Sequence, residues 1–216
     1  MRVVSLFSGI GGIEVGLAKA GFETVLLCEK DPAARAVLTA RFPTIPIRSD
    51  IVSMDRLPQG EILTAGWPCQ DLSQAGGKRG IRGPKSGMVR HVFRLIAATR
   101  RKPQWLLLEN VPNMLRLAGG KAMGTLVRHL EVAGYRWAYR TIDARAFGLP
   151  QRRQRIIILA SRKYDPGSVL FCDNHSPFHA NEVPSNIDLA SVYGFYWTEG
   201  TRGIGWTTNA VPPIKA

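Results

Sequence analysis

Two kinds of apolar segment alternate along the chain, and this alternation limits what the sequence can fold into. Short runs rich in branched residues, typical of buried strands, are residues 3–7, 24–28, 62–65, 105–108 and 156–160, with a further predicted strand at 137–142. Segments with apolar residues three and four apart, typical of helices, lie between them at 13–20, 32–41, 88–99 and 122–132. The alternation predicts an α/β fold with a mostly parallel sheet and helices on both faces.

The same pattern predicts how the chain is organised. Its 216 residues are enough for one sizeable core and an appendage. We expect a sheet-based domain over residues 1–163. From residue 164 to 216 proline, asparagine, glycine and aromatic residues dominate without a clear period, so this segment is expected to be irregular.

The positive charge of the chain is concentrated in one stretch. Residues 61–160 contain 18 Lys and Arg against 5 Asp and Glu, whereas the flanking parts are close to neutral. Such a concentration of positive charge favours a phosphate backbone as partner. The alternative is that these are solvated side chains without a partner, as in a proteome rich in basic residues. Three cysteines are too few for a disulfide framework, and no apolar run approaches the roughly 18 residues that span a membrane. We therefore expect a cytoplasmic protein with no membrane partner.

The first motif, Phe7-Ser8-Gly9-Ile10-Gly11-Gly12, joins the first predicted strand to the first predicted helix. Its glycines allow a tight turn and the close approach of a ligand. Glu29 follows 20 residues after Gly9, where a carboxylate can accept hydrogen bonds from ribose hydroxyls. Position 14, where a dinucleotide motif has its third glycine, is Glu14, whose charge is unfavourable beside a pyrophosphate.

These features favour a ribose-bearing cofactor without a diphosphate, of which S-adenosyl-L-methionine is the common one. We also expect a short third strand before Asp50, so that the strands at 62–65 and 105–108 are the fourth and fifth in chain order. Asp50 is then placed either to reach an adenine amino group or to cap a turn. The alternative is a glycine turn used for packing, with Glu29 as an acidic residue at a helix start.

The second motif, Gly66-Trp67-Pro68-Cys69-Gln70, follows the fourth predicted strand. A cysteine at the carboxyl end of a central strand faces the ligand crevice. There Pro68 stiffens the chain, Cys69 is a candidate nucleophile and Gln70 a candidate to orient substrate. The loop that follows is rich in glycine, lysine and arginine, which suits a lid over a phosphate backbone. The alternative is an inert, buried cysteine.

Two further motifs place charged residues at strand ends. Glu109, in Leu108-Glu109-Asn110-Val111, is expected to follow the fifth predicted strand, where a buried carboxylate is costly unless it is used or paired. In Gln151-Arg152-Arg153-Gln154-Arg155, the side chains of Arg153 and Arg155 share one face and can bind a carboxylate or phosphate bidentately. A structural ion pair and a solvated edge are the respective alternatives.

Together and in this order, the four motifs resemble those of the cytosine-5 DNA methyltransferases of bacterial and phage restriction-modification systems. The resemblance covers residue 2 to about residue 161 and implies a Rossmann-like, S-adenosylmethionine-dependent methyltransferase fold. It implies that Cys69 attacks a cytosine flipped out of double-stranded DNA, that Glu109 contacts the ring, and that Gln70, Arg153 and Arg155 support the site. The residues expected around the cofactor are Phe7, Ser8, Gly9, Gly11, Gly12, Glu29, Asp50, Pro68 and Met88.

The chain also departs from the family pattern. Residues 194–199 and 205–206 look like the start of a target-recognition region, and the final asparagine-containing motif of the family is not found before Ala216. We expect a fragment, a truncated gene, or half of a split enzyme that a C-terminal polypeptide complements. The same chemistry on RNA and a catalytically inactive nucleic-acid-binding fragment remain alternatives, whereas a Rossmann oxidoreductase is disfavoured.

Metal binding is not expected. Cys172, His175 and His179 have ligand-like spacing, but the sequence offers no evident fourth ligand nearby. We therefore predict no bound zinc.

Overall fold

A computed structural model describes residues 1–67, 86–116, 119–149 and 151–172, and the strands at 193–197 and 204–208. The strands are β1 (Arg2–Leu6), β2 (Glu23–Cys28), β3 (Ile47–Arg48), β4 (Ile62–Ala65), β5 (Trp105–Asn110), β6 (Arg136–Asp143), β7 (Gln154–Ser161), β8 (Tyr193–Trp197) and β9 (Ile204–Thr208). The helices are α1 (Gly12–Lys19), α2 (Pro32–Arg41), α3 (Val89–Ala98), α4 (Lys121–Val132) and α5 (Pro166–Leu170).

The strands β1 to β7 form one sheet in the order β3-β2-β1-β4-β5-β7-β6. β1 pairs in parallel with β2 and β4, β2 with β3 and β4 with β5, whereas β7 runs antiparallel to β5. The predicted mostly parallel, Rossmann-like sheet is thus confirmed. The strand order reverses between β1 and β4, and in open α/β sheets ligands bind beyond the carboxyl ends of the strands at such a point.

Burial explains why these segments are strands. All four residues of β4 are buried, as expected for a central parallel strand covered on both faces. In β5 buried and half-buried residues alternate along the strand. Leu6, Leu63 and Leu106 are at most 1% exposed and belong to the hydrophobic core around the sheet.

Helix α2 shows how local sequence signals fix an element. It begins at Pro32 and ends at Arg41, as predicted. Asp31 precedes it, and its carboxylate accepts a hydrogen bond from the Ala34 N–H at 2.8 Å. A capping carboxylate followed by proline in the first turn is a strong start signal, because proline has no N–H to leave unpaired.

The structure corrects the predicted position of Glu109. Glu109 and Asn110 are the last two residues of β5 and do not follow it. The β4 ladder ends at the Ala65–Leu108 pair, but the antiparallel ladder with β7 continues to the pair of Asn110 with Ile156. Pairing with β7 therefore keeps these two polar residues in the strand.

Residue contacts divide the chain into two units, one of residues 1–140 and 156–172 and another of residues 141–155 and 173–216. In the second unit, β8 and β9 pair antiparallel, with Tyr193 opposite Thr208 and Trp197 opposite Ile204. The aromatic and β-branched residues of both strands suit a sheet. The segment after Tyr164 shows no periodicity in sequence, yet it contains α5, β8 and β9 among its described residues.

Candidate functional site

The glycine-rich loop leaves β1 through a left-handed turn. The backbone φ angles of Phe7, Gly9 and Gly11 are +55°, +54° and +83°. A positive φ costs glycine little but strains phenylalanine, so the surroundings must hold Phe7 in place. Its ring packs against the hydrophobic core.

Ser8 fastens this loop to the neighbouring strand. The Ser8 N–H donates to the Cys28 carbonyl at 3.0 Å, and the Cys28 N–H donates to Ser8 Oγ at 3.1 Å. Ser8 Oγ also lies 2.8 Å from Ser5 Oγ. With Ser8 9% exposed, its hydroxyl belongs to a buried network that joins the carboxyl ends of β1 and β2.

Glu29, directly after β2, is held at both carboxylate oxygens. Oε2 accepts a hydrogen bond from the Gly9 N–H and Oε1 one from the Asp31 N–H, each at 2.8 Å. A carboxylate oxygen can accept more than one hydrogen bond, so each keeps capacity for a ligand hydroxyl. The sequence spacing of Gly9 and Glu29 thus corresponds to a direct contact.

Asp50 closes a turn and forms an ion pair. Its Oδ1 accepts the Val52 N–H at 2.9 Å, and its Oδ2 lies 3.2 Å from Lys30 Nζ. The hydrogen bond from Val52 and the ammonium of Lys30 hold the pKa of Asp50 below its usual value. The turn-capping interpretation of Asp50 describes these contacts, and Lys30 is a neighbour that the sequence did not indicate.

Two arginines of helix α2 donate hydrogen bonds to the glycine-rich loop and to the segment after β2. Arg41 Nη1 donates to the Ile10 carbonyl at 3.1 Å, and Arg35 Nη1 donates to the Lys30 carbonyl at 2.5 Å and the Glu29 carbonyl at 3.3 Å. Both arginines therefore donate to backbone carbonyls of the segments that carry the candidate cofactor residues. Sequence reasoning missed them, because arginines on the polar side of a helix have no distinguishing pattern.

Gly11 packs directly on the same helix. A Cβ built on Gly11 would lie 2.5 Å from Phe42 Cε2 and 3.1 Å from Leu38 Cδ2. On the outer part of the loop the situation is reversed, since no described atom lies within 4 Å of a Cβ built on Gly9 or Gly12. The loop is therefore closed toward α2 and open on the side of Gly9 and Gly12.

The ends of β4 and β5 meet at the candidate catalytic edge. Glu109 Oε2 lies 3.3 Å from the position that a Cβ on Gly66 would take. Asn110 Nδ2 donates to the Trp67 carbonyl at 3.3 Å, and Asn110 Oδ1 accepts the Val111 N–H at 2.9 Å. Glu109 and Asn110 thus contact the segment that leads into Cys69. Pro68, Cys69, Gln70 and the basic loop lie outside the described residues.

Glu14 corrects the reasoning that excluded a dinucleotide. The sequence spacing predicts that the Glu14 carboxylate lies beside the phosphate site of a dinucleotide. In the structure Glu14 is 1% exposed and its side chain is buried in the core. The Thr64 hydroxyl of β4 donates to Glu14 Oε1 at 2.9 Å. Position 14 falls on the buried face of α1, so the carboxylate pairs with the sheet and does not face a phosphate site.

The two described cysteines are poor candidates for a nucleophile. Burial raises the pKa of Cys28 to about 12, and the charges of Asp50 and Glu29 act in the same direction. Cys172 is exposed, and its thiol donates to the Val169 carbonyl at 3.0 Å. His175 and His179, which have ligand-like spacing from Cys172 in sequence, lie outside the described residues. Among the described residues, no group of His, Cys, Asp or Glu could hold a metal ion.

The remaining predicted residues lie at two places. Met88 ends a 3₁₀ turn before α3 and is half-buried against the core. Arg153 and Arg155 belong to the second unit, where the Arg153 carbonyl accepts the Ala144 N–H at 3.0 Å and Arg155 Nη1 donates to the Gln154 carbonyl at 2.8 Å. Within the described residues, no helix is long and apolar enough to cross a membrane.

Comparison with known proteins decides the family. The family model of C-5 cytosine-specific DNA methylases matches residues 1–199. The chain belongs to this family. It is 55% identical over 217 residues to the type II methyltransferase M2.BsuMI of Bacillus subtilis (strain 168), covering 100% of this chain and 56% of the relative. It is 35% identical to M.MspI of Moraxella sp over 161 residues, 74% of this chain and 38% of the relative.

Solved structures agree on the fold. The Dnmt2 methyltransferase of S. pombe aligns with a TM-score of 0.63 at 20% identity, covering 79% of this chain and 53% of that protein. The Entamoeba histolytica methyltransferase EhMeth aligns with a TM-score of 0.65 at 18% identity, covering 76% and 53%. The family resemblance and the methyltransferase fold are thus confirmed, and the chain spans about half the length of several curated relatives.

Proposed function

We propose that this chain carries the cofactor-binding and catalytic part of a DNA (cytosine-5)-methyltransferase. The reaction transfers a methyl group from S-adenosyl-L-methionine to C5 of cytosine in double-stranded DNA. One observation carries the proposal: Glu29 is held in place by the Gly9 and Asp31 N–H groups, at the sheet reversal where β4 leads toward Cys69. The reaction is proposed to take place in the cytoplasm of a prokaryotic or phage-infected cell, where the DNA is located.

The described residues fit the cofactor. Glu29, whose two oxygens accept the Gly9 and Asp31 N–H groups, would accept further hydrogen bonds from two ribose hydroxyls. The open side of the loop at Gly9 and Gly12 leaves room for an adjacent ligand. Asp50 would receive the adenine amino group beside Lys30. When bound, the cofactor supplies an electrophilic methyl group on a sulfonium. The residues proposed to line it are Phe7, Ser8, Gly9, Gly11, Gly12, Glu29, Asp50, Pro68 and Met88.

Cys69 supplies the nucleophile in this proposal. Its thiolate adds to C6 of cytosine, which breaks the aromaticity of the ring and makes C5 electron-rich. Glu109, protonated or sharing a proton with N3, neutralises the negative charge that develops on the ring. After methylation a base removes the C5 proton, and the electron pair of the C5–H bond expels the sulfur of Cys69.

The remaining residues prepare the substrate. A stacked cytosine hides C6, so the base must leave the duplex before Cys69 can reach it. Gln70 is proposed to orient the flipped base, and Arg153 and Arg155 to support the site through bidentate hydrogen bonds. The glycine-rich, basic loop after Cys69 would close over the backbone.

Trapping the intermediate tests the assignment. In DNA with 5-fluorocytosine at the target base, fluorine cannot leave as a cation, so Cys69 should stay covalently attached after methylation. Cys69→Ser should abolish the adduct, whereas Cys28→Ser should keep it, because Cys28 is buried with a pKa raised to about 12. An adduct mapped to Cys28 or Cys172 by mass spectrometry would show that the assignment is wrong.

A complementing C-terminal polypeptide is the proposed partner for sequence selection. Its supporting argument is that contacts to phosphates, which the basic residues of this chain can make, carry no base information. The chain aligns with 56% of M2.BsuMI and 38% of M.MspI. Adding the C-terminal part of M2.BsuMI should raise tritiated methyl transfer to DNA and restrict it to one sequence. Robust, sequence-selective methylation by the 216-residue chain alone would contradict this proposal.

A further inference from the structure

Cationic side chains gather at the edge of the sheet opposite the candidate site. Trp105 opens β5 and is the register partner of Ser161, which closes the antiparallel β7. The loop before β5, the turn after β7 and the start of β6 therefore lie at one edge, whereas Glu109 ends β5 at the other. The residues of this distal basic surface are Arg100, Arg101, Lys102, Arg136, Arg162 and Lys163.

Hydrogen bonds between the three segments fix this surface. The Ser161 hydroxyl accepts the Lys163 N–H at 3.3 Å and the Tyr164 N–H at 3.1 Å, which holds the turn after β7. Three further bonds tie the segments together: Arg162 N–H to the Gln104 carbonyl at 3.2 Å, Tyr135 O–H to the Pro103 carbonyl at 2.7 Å, and Arg136 Nη2 to the Lys163 carbonyl at 2.6 Å.

Among the described residues, no carboxylate forms a salt bridge with a side chain of this surface. Its side chains are exposed except for the half-buried Lys102. Three carboxylates lie close in sequence or in the sheet, and each accepts a hydrogen bond from a group outside the surface. Glu61, whose carbonyl accepts the Gln104 and Trp105 N–H groups, accepts the Arg2 N–H at 2.6 Å with its carboxylate. Asp165 accepts the Gly167 N–H at 3.0 Å, and Glu131 accepts Trp137 Nε1–H at 3.3 Å.

An aromatic pair holds one of the cations in place. Tyr164, 49% exposed, stacks on Trp105 with ring centroids 5.7 Å apart and an interplanar angle of 5°. Lys163 Nζ lies 5.4 Å from the centroid of the Tyr164 ring. A cation over an aromatic ring is favoured by the negative face of the ring, which reduces the entropy lost when Lys163 meets an anion.

The distance between the two edges separates this surface from the target base. β5 has six residues, and a strand rises about 3.3 Å per residue, so its first and last residues are roughly 17 Å apart. We propose that the distal basic surface binds the phosphate backbone of double-stranded DNA at a stretch separate from the target cytosine. Four of its six cations are arginine, whose planar fork matches phosphate oxygens.

The surface adds sequence-independent affinity, because contacts to phosphates carry no base information. It therefore holds the enzyme on DNA while the candidate catalytic edge is disengaged. An acidic protein partner is the weaker fit, since protein interfaces usually have an apolar core inside a polar rim, and this surface is cationic throughout.

Charge-neutralising variants of the full chain test the proposal. The duplex is dA·dT, which contains no cytosine, and binding is followed by fluorescence anisotropy over a salt series. One variant combines Arg100→Gln, Arg101→Gln and Lys102→Gln. Its control removes the same charge from exposed positions elsewhere, as Lys19→Gln, Arg48→Gln and Arg56→Gln.

The binding constant K falls as salt rises, and each lost phosphate contact makes the slope of log K against log salt less steep by about 0.9. Three lost contacts therefore make it less steep by about 2.7. We expect the first variant to bind at least roughly tenfold more weakly at about 0.1 M salt, while the control is unchanged. Adding Arg162→Gln and Lys163→Gln should make the salt dependence still less steep. Matching circular dichroism spectra verify that the variants keep the fold.

Equal losses in both triple variants would overturn the proposal, because they would show a general charge effect. Unchanged binding by the first variant would also overturn it and would point to an acidic protein partner instead. The Cys69 adduct is measured on DNA that contains 5-fluorocytosine, whereas this test uses DNA without cytosine, so failure of the catalytic proposal and failure of this one are distinguishable.

Discussion

Gly11 offers a quantitative test of how the glycine-rich loop is held. Gly11→Ala places a Cβ in a backbone with φ +83°, at 2.5 Å from Phe42 Cε2 and 3.1 Å from Leu38 Cδ2. The left-handed conformation costs a residue with a Cβ roughly 1–2 kcal/mol. Overpacking against Phe42 and Leu38 adds roughly 1–3 kcal/mol. We expect the free energy of unfolding to fall by about 2–5 kcal/mol.

Gly9→Ala is the matched control. Gly9 has φ +54°, but no described atom lies within 4 Å of its Cβ position, so only the backbone cost of roughly 1–2 kcal/mol applies. Urea unfolding followed by circular dichroism measures both variants. Adding Phe42→Ala to Gly11→Ala should remove most of the overpacking, so the double-mutant cycle should show a favourable coupling of about 1–3 kcal/mol.

Equal losses for Gly9→Ala and Gly11→Ala, together with a coupling near zero, would refute this reasoning. Such a result would mean that the Phe42 ring moves aside at little cost and that α2 does not set the position of the loop.

Two further predictions concern α2 and α3. Arg41→Gln removes a donor to the Ile10 carbonyl of the glycine-rich loop. Such a hydrogen bond is worth about 0.5–1.5 kcal/mol. We therefore expect calorimetry to show about 2- to 10-fold weaker binding of S-adenosylhomocysteine. Arg140→Gln, which removes a donor to the Leu170 carbonyl, should leave that affinity unchanged, and equal weakening would contradict a positioning role of Arg41. Burial, then the charges of Arg90 and Arg94, lower the pKa of His91 from 6.5. The folded chain therefore binds fewer protons than the unfolded chain, and stability should fall as pH drops from about 6.5 through the folded pKa; urea unfolding of His91→Gln should lack this part of the slope.

The sequence predicted the elements whose signals are local. Periodicity located the strands and helices around the sheet reversal, and the pair Asp31 and Pro32 placed the start of α2. The spacing of Gly9 and Glu29 predicted a contact, because it reflects how far one strand, one helix and the next strand extend.

The contacts that the sequence did not predict depend on tertiary packing. Arg35 and Arg41 look like ordinary polar residues of a helix until the fold brings the loop carbonyls to them. The spacing of Glu14 from the glycines predicts a charge beside the ligand, whereas the orientation of its side chain follows from which face of α1 meets β4. Glu109 and Asn110 extend β5 because of pairing with β7, a partner more than forty residues away in sequence.

The hydrogen bond between Thr64 and Glu14 makes two parts of the site mechanically dependent. Glu14 lies in the first turn of α1, directly after the glycine-rich loop, and Thr64 lies in β4, five positions before Cys69. Breaking this bond in the core would leave a buried carboxylate without its donor, which is strongly unfavourable. The helix start and the strand are therefore expected to shift together, so that a displacement of the glycine-rich loop is transmitted to β4, the strand that precedes the proposed nucleophile Cys69 in sequence.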